Sequence, residues 1–272
     1  MGFLLLMKRE YKTSVKHFLQ SLDHETANVK ADIGILHNIG IIYYNLGKPW
    51  QALMYFAQAK MKYDLGRAHV ASAQINNAIA MCYTSVGEFD KAEHIYNDAL
   101  AQAKRVDNDL ETGIALNNLA ALYLKKGNID ECLKVCNQAA VLLKNDFRYI
   151  HALVNKAVCL IEMKDFAQCK EIIKKGKELV KDDKTLTIFF EFISHLSTLD
   201  NKDSTDYLEN IAIPHCRATV VDEGGGIYRA LDICQRLEAH YRKKRNKRKA
   251  DAIGLIGRDI AMEIFFGGVG FE

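Results

Sequence analysis

The sequence predicts an all-α chain of antiparallel helix pairs stacked side by side. Three observations predict it. Small and aromatic residues recur at three- and four-residue intervals, the pattern repeats every 40 residues, and only 2 prolines occur in 272 residues. Proline is excluded from helix interiors, so a chain this poor in it can be helical almost throughout. An apolar fraction of 49 % supplies a core for a chain of this length and excludes collagen-like, disordered and disulfide-stapled classes. The net charge of +3 is too small to imply nucleic acid or an acidic membrane.

The repeat emerges when Leu36–Ala59, Asn76–Ala99 and Leu116–Ala139 are aligned on Gly47, Gly87 and Gly127. Four residues before each glycine stands Tyr43, Tyr83 or Tyr123, and seven before it Gly40, Ala80 or Ala120. These positions share one face of a first helix, A. Five residues after the glycine comes Ala52, Ala92 or Cys132, nine after it Phe56, Tyr96 or Cys136, and twelve after it Ala59, Ala99 or Ala139. That set makes one face of a second helix, B. The glycine supplies the left-handed backbone or tight turn between them. Small residues facing large ones let A and B pack closely, and each hairpin leaves an apolar edge that the next must cover.

Weaker copies extend the series. Leu153–Gly176 keeps Ala157, Leu160, Phe166, Cys169 and Ile173 in register with Lys164 at the turn; Cys234–Gly257 keeps Leu237, Tyr241, Ala250 and Gly254 with Arg245 at the turn. Thr185–Pro214 supplies the intervening pair in poor register, and Tyr11, Ser14, Phe18 and Ser21 read as a leading helix B. Turns between units are expected at 63–66, 107–109, 144–146 and 181–183. Asn108 with Glu111 reads as a capping box, and Pro49 suits the first turn of a helix.

These offsets resemble the tetratricopeptide repeat over most of the chain, although the usual period is 34 residues rather than 40. With longer helices the pattern is similar to that of the peptide pheromone receptors of Gram-positive bacteria, the Rap, NprR and PlcR group. Tyr207-Leu208-Glu209-Asn210, Ala230-Leu231-Asp232-Ile233-Cys234 and Tyr241-Arg242-Lys243-Lys244 resemble their last repeats. The resemblance implies a right-handed superhelix, with residues 1–272 as one domain. Within it, 1–30 is an incomplete first repeat, 31–184 the best-matched repeats, and 185–272 degenerate repeats and a tail. Register puts Gly2 in mid-helix, so the chain looks like the sensing half of a receptor whose effector domain is cut away or lost.

A solenoid of this kind lines its concave side with helices A. The groove-facing stripe reads His37, Asn38, Ile41 and Tyr44; Gln74, Asn77 and Met81; Asn117, Asn118 and Ala121; then His151, Asn155 and Val158. Asparagine is a poor helix former, yet four successive helices carry one in mid-helix. Its amide offers a donor and an acceptor together, matching an extended peptide backbone, while Ile41, Met81 and Val158 would read side chains. By resemblance Asn38, Asn118 and Asn155 take the receptors' peptide-clamping position, with Asn77 shifted by one. The groove lacks the Lys and Arg with which chaperone-binding relatives grip a carboxylate.

The remaining signals are weaker. Cys132 and Cys136 lie four apart on one helix face, but no second pair of matching spacing completes a metal site, and the seven cysteines read as small apolar residues of a reducing cytosol. Arg242–Lys249 reads as solvated turn charge, Gly224-Gly225-Gly226 as an exposed loop, and the Gly254 and Gly257 pair as helix packing. The apolar stretch 264–271 is unusual for a solenoid end. No catalytic motif, cofactor loop, targeting peptide or membrane span is present. The expectation is a cytoplasmic, non-enzymatic sensor that binds a short linear signalling peptide or a protein partner and controls transcription or a phosphorelay, with a homodimer possible in principle. Its rivals are a general scaffold for folded proteins and a fragment of a Rap-like response-regulator inhibitor or phosphatase.

Overall fold

The computed structural model describes residues 11–23, 29–66, 72–180, 184–214 and 226–266, and every regular element among them is helical. Helix α1 (Tyr11–Asp23) packs on a series of hairpins: α2 (Val29–Asn45) with α3 (Pro49–Gly66), α4 (Ser72–Ser85) with α5 (Phe89–Arg105), and α6 (Asp109–Lys126) with α7 (Ile129–Leu142). Then follow α8 (Tyr149–Glu162) with α9 (Phe166–Leu179), α10 (Lys184–Leu196) with α11 (Lys202–Tyr207), and α12 (Gly226–Lys243) with α13 (Lys247–Phe266). Each second helix also packs on the first helix of the next hairpin through α9.

The turns inside the hairpins share one mechanism. At Gly47, Gly87 and Gly127 the backbone is left-handed, with φ of 71°, 84° and 75°. In each, the following residue donates its N–H back to the carbonyl of the aligned tyrosine: Lys48 to Tyr43, Glu88 to Tyr83, Asn128 to Tyr123. This is the six-to-one closure of a Schellman turn. The degenerate units make the same bond, Asp165 to Leu160 and Asn246 to Tyr241, with Lys164 and Arg245 held at φ 60° and 58° in place of glycine.

The expected packing face is the core. The nine aligned positions of α3, α5 and α7 are at most 2 % exposed. A Cβ on Gly40 would stand 2.5 Å from the Phe56 ring, so the glycine is what lets α2 and α3 approach. In the last hairpin a Cβ on Gly254 would meet only the carboxylate end of the Glu238 side chain, at 2.9 Å, which can swing aside. The aligned tyrosines are different: they sit half-buried at the hairpin edge, where Tyr43 stacks on Tyr55 and Tyr123 donates its hydroxyl hydrogen to Glu93.

Several expectations are corrected. Residues 63–66 are the last turn of α3 rather than a loop, and Ser21 and Phe166 are exposed although their neighbours in the pattern are buried. Asn108 caps α6 by accepting from the Glu111 N–H, but the reciprocal half of the box is missing because the Glu111 carboxylate turns to Gln74 instead. The poor register of 185–214 has a physical cause. α11 is 6 residues long and continues as a π-helical turn over Leu208–Ala212, which shifts the side chains by a fraction of a turn. The turn at 181–183, Gly2 in its repeat, Gly224 with Gly225, and residues 267–271 of the apolar tail lie outside the described residues; Gly226 is the first residue of α12.

Candidate functional site

Successive first helices α2, α4, α6 and α8 touch one another as well as their own partners, whereas the corresponding approach of second helices is weaker. The first helices therefore lie on the inner, more crowded side of the stack. Asn38, Asn117, Asn118 and Asn155, in mid-helix on them, are half-buried.

The structure brings two of them together. Asn155 Nδ2 donates to Asn117 Oδ1 at 3.0 Å and to the Asn117 carbonyl at 3.2 Å. Counted from their turn residues, Asn155 stands nine before Lys164 and Asn117 ten before Gly127. Both offsets thus meet across the helix boundary. Asn77 stands ten before Gly87. By that count it is the counterpart of Asn117 rather than of Asn38, Asn118 and Asn155.

Asn77 also differs from the rest in energy. It is 4 % exposed, and neither its Nδ2 nor its Oδ1 has a partner in the protein. A buried amide left unpaired costs roughly 1–3 kcal/mol. Neighbouring Asn76, a buried polar residue that the sequence pattern did not single out, is satisfied by Gln102 at 3.3 Å.

The other candidates have structural partners. Gln74 donates to the buried Glu111 carboxylate at 2.6 Å, joining α4 to α6, and Ser85 donates to the Tyr44 hydroxyl at 3.2 Å, joining α4 to α2. His37 packs its ring 5.5 Å from Phe56, and burial pushes its pKa below the ordinary 6.5. His151 is exposed at the α8 end of the row. Glu111 escaped notice because its place in the capping pattern explained it already.

One grouping departs from expectation. Cys159 of α8 reaches across to Cys132 and Cys136 of α7, so a third sulfur joins the pair that sequence spacing left incomplete. Near the last turn, Arg242 pairs with Glu238 and Asp251, Lys244 with Asp200, and Lys249 with Glu209, so much of the basic run is neutralised locally.

Residues 71–145 match the tetratricopeptide repeat family. The fold is a tetratricopeptide-repeat solenoid. Several solved structures share that solenoid over nearly the whole chain. A Rap protein complexed with competence and sporulation factor matches with TM-score 0.83 at 14 % identity, covering 97 % of this chain and 73 % of that one. The Rap conjugation gene regulator of plasmid pLS20, in complex with the Phr* peptide, matches with TM-score 0.80 at 16 % identity, covering 100 % and 75 %. The apo form of the quorum sensor NprR from B. thuringiensis matches with TM-score 0.72 at 19 % identity, covering 96 % and 74 %. No curated protein matches the solenoid by sequence. No described helix of the solenoid is long and apolar enough to cross a membrane.

Proposed function

We propose that residues 1–272 form one sensing domain that binds a short linear peptide in extended form along the asparagine row, without catalysis, as part of a cytoplasmic signalling regulator. The observation that carries this reading is the buried Asn77 amide, which has an unmet donor and an unmet acceptor. A peptide unit offers a C=O and an N–H that meet both needs. The Asn117–Asn155 pair supports it from the next step of the row: its mutual bonds use the Asn155 amino group and the Asn117 oxygen, leaving one acceptor and one donor. Half-buried Ile41, Met81 and Val158 would then read side chains. Solved neighbours that were captured with signalling peptides favour the same ligand class. Control of transcription or of a phosphorelay would follow from a peptide-driven shift in the solenoid's curvature or oligomeric state.

Titration calorimetry with extended penta- to heptapeptides tests the reading. Binding that falls about tenfold or more in Asn118→Ala and Asn155→Ala, equivalent to roughly 1.4 kcal/mol, is the expected outcome. Unchanged affinity in both variants overturns the groove.

A scaffold for a folded protein is the second reading. It is favoured by Trp50, Met54 and Met61, which are 60 %, 63 % and 58 % exposed along one face of α3. It predicts that substitutions there, and not in the row, abolish partner binding.

A further inference from the structure

The cysteine cluster lies in the core between α7 and α8. Cys132 and Cys136 stand one turn apart on α7, Cys159 comes from α8, and all three are 0 % exposed thiols. Their sulfurs all lie within 4.8 Å of one another, with Cys132 to Cys136 at 3.8 Å and Cys132 to Cys159 at 2.6 Å. Packing calls for a small residue at Cys132, the position of Ala52 and Ala92, but not for a thiol at Cys136. The position of Cys136 holds Phe56 and Tyr96 in the two preceding hairpins, so an aromatic ring gives way to a thiol where Cys159 arrives.

We propose that Cys132, Cys136 and Cys159 form a three-thiol site for a soft trivalent ion of the arsenite class. Ligand number points there first. Among the described residues no fourth His, Cys, Asp or Glu joins the group, and structural zinc takes four ligands. Geometry agrees. Sulfurs bonded to one ion at about 2.3 Å stand roughly 3.5–4 Å apart. Cys132 and Cys136 already do, and Cys159 has to draw back from Cys132 to reach the same spacing.

Charge selects the ion. Three thiolates in a site closed to water leave two negative charges with Cu(I) and one with a divalent ion, but none with a trivalent ion. Nearby charges supply no balance, since Lys156 acts on Cys136 while Glu162 acts on Cys159 with the opposite sign. Arsenite enters as uncharged As(OH)3. Three S–H and three As–O bonds break, three As–S bonds form, and three waters leave with no change of oxidation state.

The test incubates the reduced full chain anaerobically with sodium arsenite, and in parallel with Cu(I), then reads bound ion by native mass spectrometry. Protected thiols are mapped by alkylation after denaturation. The expected result is one arsenic per chain, protection of Cys132, Cys136 and Cys159, loss of binding in Cys159→Ser, and full binding in Cys169→Ser. No arsenic, protection of other cysteines, or retention of Cu(I) alone overturns the proposal. Should Cys159→Ser fail to fold, the alkylation map of the parent chain decides by itself.

Discussion

Asn155 on α8 donates its side-chain amide to Asn117 on α6, at 3.0 Å to Oδ1 and 3.2 Å to the backbone carbonyl. Two first helices 38 residues apart in sequence are thereby tied at the middle of the inner face. A net hydrogen bond is worth about 1 kcal/mol. Asn155→Ala should therefore lower the unfolding free energy by about 1–2 kcal/mol, read as a lower urea midpoint with unchanged slope.

Asn77 should behave in the opposite sense. Its buried amide has no partner, so Asn77→Leu removes an unmet polar group and replaces it with a side chain of similar volume. The unliganded chain should gain roughly 1–2 kcal/mol while peptide affinity falls. A variant that is both less stable and unimpaired in peptide binding would contradict the reading of this residue.

Gly40 and Phe56 test the hairpin packing. Gly40→Ala places a methyl 2.5 Å from the Phe56 ring, and overpacking of this kind costs about 1–3 kcal/mol. Adding Phe56→Leu should recover part of the loss, so a double-mutant cycle by thermal denaturation should show coupling between the two sites.

Lys164 and Arg245 carry a left-handed backbone that disfavours a side chain by about 1–2 kcal/mol. Glycine relieves it but adds freedom to the unfolded chain. Lys164→Gly should thus stabilise by a net ~0.5–1 kcal/mol, whereas Gly87→Ala, made at φ 84°, should destabilise by at least as much. Chemical denaturation of the two variants compares them directly.

The pH dependence follows from His37. Burial lowers its pKa in the folded chain, so the native state binds fewer protons than the unfolded one below the ordinary 6.5. The stability is complete above that value and is lost as pH falls from it through the lowered folded pKa. His195 and His240 act in the same direction, chiefly through burial, the former beside Glu191 and Lys177 and the latter beside Asp200, Lys244 and Lys243. The melting temperature should drop between about pH 7 and pH 5, and His37→Phe should reduce that drop.

The architecture was legible because its signals are local. The glycines at 47, 87 and 127, the small residues facing Phe56 and Tyr96, and the cap at Asn108 act over at most a few turns of helix, and the chain spells each out in order. Where the reading slipped, a longer-range competitor had intervened. Glu111 left its capping role for Gln74 on another helix, and the π turn at Leu208–Ala212 moved a register that counting assumed constant.

The sequence by itself determined the helix pairs, their turns, the core face and the row of asparagines on the inner helices, because periodicity and left-handed turns depend on neighbours along the chain. Only the tertiary structure decided that Asn155 meets Asn117, that Asn77 stands buried without a partner, and that Cys159 completes a trio with Cys132 and Cys136. Those outcomes depend on how far one hairpin is displaced and rotated against the next. That displacement is set by the summed packing of side chains from several helices, which no single segment of the chain encodes.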